Sequence, residues 1–379
     1  MKLIFKKSDL NEAVSIVSKA IPTRTTMSIL ECIFIDATTD RITFTANDME
    51  LGIETQVEGE IIERGQIAIN SKIFSEIVRK LPENEVIIST DENYYMNIVS
   101  ENAKFNIAGK SGDDFTRLPA VEKEKFIYLS QLTLKEIIRQ TIFSISLNDE
   151  SSTGKLMSGE LFEINNNKLK VTSLDTHRIS IRKVELKESF ENVSVIVPGK
   201  TLNEVVKVLN GGNDDEVRIF FTRNSEFSGN GYSHIVFEFG STVVVSRFIE
   251  GKYFNVSQMI SSDYDVKLNV NRREILECID RATLMANESD KKPIIVSVTD
   301  GNVEIQIKSN LGSMDENIEA TKEGKDIMIG FNPKFVMDAL KAIDDEDVDI
   351  YMLNAKSPCF IKDKDENYVY IILPVNFNV

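Results

Sequence analysis

Ser173, Asp175 and His177 lie within five residues of one another. A hydroxyl, a carboxylate and an imidazole are the parts of a nucleophilic or metal-assisted site. In a strand, side chains two apart point the same way, so Asp175 is placed to orient the His177 ring. A working triad also needs its nucleophile on a sharp turn and donors for an oxyanion, and the sequence around Ser173 has no glycine-flanked elbow. Zinc would need three or four ligands. The chain has two histidines, the second being His234 in a separate segment, and three cysteines, Cys32, Cys278 and Cys359, with no paired spacing. The cysteines read as buried thiols of a reducing compartment. Gly211-Gly212-Asn213-Asp214-Asp215 lacks the Gly-Lys-Ser/Thr ending of a phosphate loop and reads as a hairpin or a helix-exit turn. These residues point away from an enzyme, a metal and a cofactor, and toward a binding protein.

At 379 residues the chain is long enough for two or three domains of roughly 150 residues each. Hydrophobic residues make up 42%, while Gly (18) and Pro (8) are few, which excludes a disordered or collagenous chain. No apolar run approaches the roughly 18 residues that span a bilayer. The opening Met1-Lys-Leu-Ile-Phe-Lys-Lys7 is broken by charge too early for a signal peptide, so the expected place is the cytoplasm, with no membrane. The net charge of −16 opposes nucleic acid unless the cations are gathered on one face.

Three segments repeat. Asn70-Ser-Lys-Ile-Phe-Ser-Glu-Ile-Val-Arg-Lys-Leu81, Pro198-Gly-Lys-Thr-Leu-Asn-Glu-Val-Val-Lys-Val-Leu209 and Asn332-Pro-Lys-Phe-Val-Met-Asp-Ala-Leu-Lys-Ala-Ile343 carry Lys72, Lys200 and Lys334, at offsets of 128 and 134. Each has apolar residues at helical spacing, with a short strand predicted before it and another after it. A second helix recurs at Ser8, Thr133 and Asn271, each a residue suited to capping, with Glu12, Glu136 or Glu274 shortly after it. Thr45-Ala-Asn-Asp-Met matches Thr172-Ser-Leu-Asp-Thr, setting Asp48 opposite Asp175. Arg41 to Thr45, Lys168 to Thr172 and Asn302 to Lys308 alternate as half-exposed antiparallel strands do. The expectation is an α+β chain of three similar domains, 1–122, 123–262 and 263–379, each with two helices against antiparallel sheets of about eight strands in all.

Each repeated second helix has a basic residue at its start and another seven places on: Lys72 and Arg79, Lys200 and Lys207, Lys334 and Lys341. Seven residues make about two turns, so each pair shares a face. The first helices add Lys135, Arg139, Arg272 and Arg273, while the acidic excess clusters elsewhere, as at Asp344 to Asp349. Cations on helix faces are often solubility decoration. Retained three times in an acidic chain, they also describe a surface that meets phosphates without reading bases.

With repeat and charge in hand, the sequence resembles the bacterial DNA polymerase III beta subunit family. Ala20-Ile-Pro-Thr-Arg-Thr-Thr-Met-Ser-Ile-Leu30, Thr45 to Leu51, Gly112-Asp-Asp-Phe-Thr-Arg-Leu-Pro119, Thr172-Ser-Leu-Asp-Thr-His-Arg-Ile179 and Tyr370-Ile-Ile-Leu-Pro-Val375 carry the resemblance along the whole chain. It implies the DNA clamp fold and a head-to-tail homodimer closed as a ring around duplex DNA, with helices facing the hole and sheet at the rim. It implies a processivity factor with no catalysis and no cofactor. The implied partners are a clamp loader, the DNA polymerase III alpha subunit and other proteins with a clamp-binding motif. Arg24 matches the family's loop arginine near the duplex. The implied peptide pocket is built from Leu174, Asp175, Thr176, His177, Arg178, Ile179, Phe254, Gln258, Met259, Ile372, Leu373, Pro374 and Val375. One edge of the first domain, near 103–108, is implied to pair with the third domain of the second copy. Thr176 stands where the family has Gly, Phe254 where it has Pro and Gln258 where it has Arg, which fits either the housekeeping clamp or a divergent paralogue. A docking scaffold of repeated domains that never encircles DNA is the competing reading.

Overall fold

The computed structural model describes residues 1–120, 123, 125–146, 151–212, 215–223, 231–260, 263–286 and 292–377. In the first repeat the order is β1 (Lys2–Lys6), α1 (Lys7–Val17), β2 (Cys32–Asp36), β3 (Ile42–Asn47), β4 (Leu51–Val57), β5 (Glu60–Glu63) and β6 (Gln66–Asn70). Then come α2 (Ser71–Lys80), β7 (Glu85–Thr90), β8 (Tyr95–Ser100) and β9 (Ala103–Lys110). The second repeat has β10 (Phe126–Ser130), α3 (Gln131–Thr141), α4 (Ser152–Met157), β11 (Gly159–Leu174) and β12 (Arg178–Pro198). It closes with α5 (Gly199–Val208), β13 (Glu216–Arg223), β14 (Tyr232–Phe239) and β15 (Thr242–Arg247). The third has β16 (Val266–Asn271), α6 (Arg272–Thr283), β17 (Ile294–Thr299), β18 (Asn302–Ser309), β19 (Gly312–Gly324) and β20 (Ile327–Phe331). It ends with α7 (Pro333–Ala342), β21 (Asp347–Met352), β22 (Cys359–Lys362) and β23 (Tyr368–Ile372).

The helices start where short polar side chains satisfy the first free N–H groups. Asn70, Asn271 and Asn332 cap α2, α6 and α7 in this way, and Pro333 occupies the first turn of α7. Two expected caps are displaced. Ser8 lies inside α1, which starts after Lys6 with no side-chain cap, and Thr133 lies inside α3, where the Ser130 hydroxyl accepts the Thr133 N–H at 3.0 Å. The repeated helices bury one stripe each: Leu10, Ala13, Val14 and Val17 in α1, Phe74 and Val78 in α2, Ile275, Cys278, Ile279 and Ala282 in α6.

Two compact units result, Met1–Leu134 with Lys200–Phe248, and Lys135–Gly199 with Ile249–Val379. In the first, thirteen strands form one antiparallel sheet in the order β10-β13-β14-β15-β4-β3-β2-β6-β9-β8-β7-β1-β5. Strands of two repeats meet there where β15 pairs β4, Ser246 opposite Leu51. Edge-to-face Phe5 and Phe44, with centroids 5.9 Å apart, and Phe74 of α2 fill its core. In the second, ten strands run β11-β12-β23-β22-β21-β16-β19-β18-β17-β20, and repeats meet where β12 pairs β23, Arg178 opposite Ile372. The described strand numbers are nine, six and eight, not eight in each repeat. The central repeat has fewer because β11 and β12 are long, 16 and 21 residues, and bend at irregular register around Asn166, whose φ is 55°. The three cysteines are free and buried, and burial pushes the Cys359 thiol up to about 12. Among the described residues no helix is long and apolar enough to cross a membrane.

Candidate nucleic-acid interface and peptide cleft

Of the eleven cations expected to face DNA, five are exposed with no acidic partner among the described residues: Arg24, Lys72, Arg79, Lys334 and Lys341. Lys72 and Arg79 stand on the side of α2 away from buried Phe74 and Val78, and Lys334 and Lys341 do the same on α7. The others have local work. Lys200 is ion-paired with Asp48, Lys207 reaches Glu204 at 2.8 Å and Arg273 reaches Glu277 at 2.7 Å. Lys135 is half-buried.

Arg139 and Arg272 are held at the end of α7. Arg139 donates to the carbonyls of Lys341 and Ala342 and to Asp344 at 2.5 Å, and Arg272 donates to the Asp345 carbonyl at 2.7 Å. Two guanidinium groups there satisfy orphan carbonyls and oppose the negative end of the helix dipole. Sequence spacing gave no sign of this, because both partners come from a distant segment.

The Asp175 cluster is a turn and not a strand, which corrects the parallel-pointing expectation. Asp175, Thr176 and His177 connect β11 to β12, the Asp175 N–H donates to the Arg178 carbonyl at 3.1 Å, and Asp175 Oδ1 accepts from the N–H groups of His177 and Arg178. Such an Asx turn lets a carboxylate stand in for backbone acceptors. His177 Nδ1 lies 2.8 Å from the Thr176 hydroxyl, while buried Ser173 donates its own hydroxyl to the Thr141 carbonyl at 2.5 Å. Ser173 and His177 are thus turned to different partners, and the serine does not meet the imidazole.

Around this turn an ion-pair network and an apolar cluster are assembled. Arg178, 8% exposed, reaches Asp175 at 3.0 Å, Asp338 of α7 at 2.6 Å and the Phe143 carbonyl. Its guanidinium also lies over the rings of Phe335 at 4.5 Å and Phe143 at 5.5 Å. His177 stands 5.6 Å from the Phe335 ring. Leu174 and Ile179 pack in one cluster with Tyr253, Val256, Ile371 and Phe360, and half-buried Phe254 joins it. Met259 and Leu373 are exposed, and the Leu373 N–H donates to the His177 carbonyl at 2.9 Å. Val375 runs on along β20, its N–H donating to the Gly330 carbonyl at 2.8 Å, and a Cβ on residue 330 would collide with Phe377. Pro374 is half-buried, and the Gln258 side chain lies outside the described residues.

Ile372 is displaced from the expected set. It is 2% exposed and belongs to the core of the third repeat, so Ile371 is the residue of β23 that packs with Leu174. Adjacent strand residues face opposite sides, and one of the two had to turn away. Met157 of α4 and Phe360 of β22 join the same cluster and were missed. At the exit from α5 the Asn210 N–H donates to Gln131 Oε1 at 2.7 Å, while Asn213 and Asp214, central to the expected turn, lie outside the described residues.

At the start of β11, Glu160 is fully buried, and neither carboxyl oxygen makes a well-formed hydrogen bond to the described residues. Burial pushes this carboxyl up to about 8; Thr141 offsets little, its hydroxyl already donating to the Ile137 carbonyl at 2.7 Å. A carboxyl raised in the folded state binds its proton more tightly there than in the unfolded chain. The stability this carboxyl contributes is therefore greatest below the ordinary value of 4.5, is lost as pH rises toward about 8, and levels off above. The limiting slope is about 1.4 kcal/mol per pH unit. Glu160→Gln, which keeps shape without charge, is expected to flatten that decline in urea unfolding between pH 5 and 8, and a slope equal to the parent's would refute it.

The family description "DNA polymerase III beta subunit, N-terminal domain" matches residues 1–119, the central-domain description 128–255 and the C-terminal description 257–376. The beta sliding clamp of Staphylococcus epidermidis is 34% identical, with 99% of each chain covered. Among solved structures, a chain from Eubacterium rectale assigned to the DNA polymerase III beta subunits superposes with a TM-score of 0.94 at 60% identity, covering 100% of both chains. The DNA polymerase sliding clamp of Bacillus subtilis superposes with a TM-score of 0.93 at 32% identity, again over 100% of both. Three similar domains, each with helices against antiparallel sheet, fit these relatives from end to end, and the chain belongs to the DNA polymerase III beta subunit family, the beta sliding clamps.

Proposed function

We propose that two copies of this chain close head to tail around duplex DNA and hold the replicative polymerase on its template. Membership of the family makes the chain a sliding clamp, a processivity factor and not an enzyme. The observation that carries the encircling reading is the repeated cation pair. Lys72 with Arg79 and Lys334 with Lys341 stand solvent-exposed at matching helix positions in a chain of net charge −16. Weak, sequence-independent phosphate contacts suit a ring that slides, because linkage around the strand replaces tight binding. A tethered polymerase then meets its template at high effective concentration.

The domain limits in this reading are 1–122, 123–262 and 263–379, and the site of action is the cytoplasm. Ring closure uses β9, whose residues 103–108 pair β8 on one side and have no described strand on the other. An open edge of this kind is a template for a strand from a second copy. The Asp175 cleft takes a short peptide with hydrophobic anchors from the polymerase alpha subunit, the clamp loader and other partners, on an apolar floor edged by His177.

Retention on DNA tests the ring. Loaded protein is expected to stay on nicked circular DNA and to run off once the circle is cut to a linear form. Equal retention on both forms would point to the non-encircling scaffold.

A further inference from the structure

Bond for bond, the Asp175 turn has a counterpart at Asp48. The Asp48 N–H donates to the Leu51 carbonyl at 3.0 Å, and Asp48 Oδ1 accepts from the N–H groups of Glu50 and Leu51 at 3.0 and 2.7 Å. Where the Leu373 N–H donates to the His177 carbonyl, the Arg247 N–H donates to the Glu50 carbonyl at 2.9 Å. Ser246 opposes Leu51 in β15 and β4 as Ile372 opposes Arg178 in β23 and β12. The equivalence therefore sets Val245 in the place of Ile371 and Arg247 in the place of Leu373. Each turn is also tied to the second helix of the next repeat, Asp48 by Lys200 of α5 and Arg178 by Asp338 of α7.

A cleft of about 230 Å³ opens beside the Asp48 turn. Leu51, Leu118 and Val245 give it an apolar floor, and Met49, His234 and Arg247 stand at its edge. Leu118 packs with the Val245 cluster and lies against Gly52, where any Cβ would collide with it. Asn47 fixes the segment that carries Leu118 by donating to the Thr116 carbonyl at 2.6 Å. Met49 is held with φ at 76° and is 56% exposed over the opening. Two guanidinium groups, Arg117 and Arg247, border the cleft with one lining carboxylate, Glu50; Arg117 also lies 3.4 Å from Asp36, outside the lining.

The geometry points to a second peptide-docking cleft at the Asp48 turn, one that takes a short extended segment with an aliphatic anchor flanked by carboxylates. The kind of ligand rests on the peptide reading of the Asp175 cleft, while the place rests on the Asp48 cleft's own geometry. The volume fits one or two aliphatic side chains, and the basic rim selects acidic flanks. The Asp175 cleft has apolar Leu373 where this one has Arg247, so the two sites differ in the charge they favour.

Methionine methyl signals of the full chain, labelled with carbon-13, separate the two clefts, because Met49 borders one and Met259 the other. The probes are acetyl-Glu-Leu-Ile-Glu-amide and its control acetyl-Lys-Leu-Ile-Lys-amide. The acidic peptide is expected to shift the Met49 signal to saturation and the lysine peptide to leave it in place. Arg247→Glu is expected to weaken the acidic peptide roughly tenfold and to admit the lysine peptide. Arg117→Glu, at a second exposed position, is expected to weaken it in the same direction. A Met49 signal unmoved by the acidic peptide, moved equally by both peptides, or indifferent to Arg247→Glu would overturn the proposal. A shift confined to Met259 would overturn this cleft while leaving the peptide reading of the Asp175 site in place.

Discussion

Changing Lys72, Arg79, Lys334 and Lys341 together to glutamate is expected to remove most of the protein's direct affinity for duplex DNA. These four are exposed, stand on the outer faces of α2 and α7, and have no acidic partner among the described residues. Each phosphate contact contributes about 0.9 to the slope of log affinity against log salt, so losing four per protomer lowers that slope by roughly 3 to 4. At moderate salt this corresponds to a loss on the order of a hundredfold or more, before the repulsion by the new carboxylates is added. Processive synthesis on a primed circle is expected to fall with it. A matched reversal at Arg139 and Arg272 is expected to act on stability instead, because those two hold the end of α7. A salt slope unchanged in the fourfold variant would show that the paired cations face something other than DNA.

Arg178→Ala is expected to lower folding stability by about 3 to 5 kcal/mol, the range seen when one partner of a buried ion pair is removed. The side chain is 9% exposed, and its loss leaves Asp338 and Asp175, 23% and 18% exposed, without their cation. It also frees the Phe143 carbonyl and empties the space between the Phe143 and Phe335 rings. Arg178→Lys is expected to recover little, since an ammonium cannot reach three acceptors from a plane stacked between rings. Urea unfolding reads the first effect, and titration with a partner peptide reads the accompanying loss of the cleft. A change below about 1 kcal/mol in Arg178→Ala would place this network among exposed pairs of small worth.

Much of this was legible in the chain itself. The three repeated helices appear within a residue or two of their expected limits, because apolar spacing, with asparagine caps at α2 and α7, acts locally and needs no distant partner. The match of Asp48 with Asp175 proved to be a match of turn geometry. Other features depend on neighbours far along the chain. Tyr370-Ile-Ile-Leu373 is apolar at every position, so no alternation tells which of Ile371 and Ile372 packs with Leu174; the register of β23 against β12 decides it. Arg139 and Arg272 look like any helix-surface cations until the end of α7 is brought beside them. The long β11 and β12 strands carry mixed polar residues along their middles, where pairing with one another and not a hydrophobic face keeps them extended.

Where β15 runs beside β4, and again where β23 runs beside β12, one repeat is bonded to another by five consecutive backbone pairings. The Thr55 and Thr242 hydroxyls, 2.9 Å apart, add a buried link at the first of these seams. Continuity of the polypeptide is therefore only one of two attachments at each junction. A protease nick between Pro119 and Lys125 would leave the fragments joined edge to edge, separable by denaturant but not by simple dilution. In service, a chain built this way tolerates a cut backbone as a riveted seam tolerates a missing stitch.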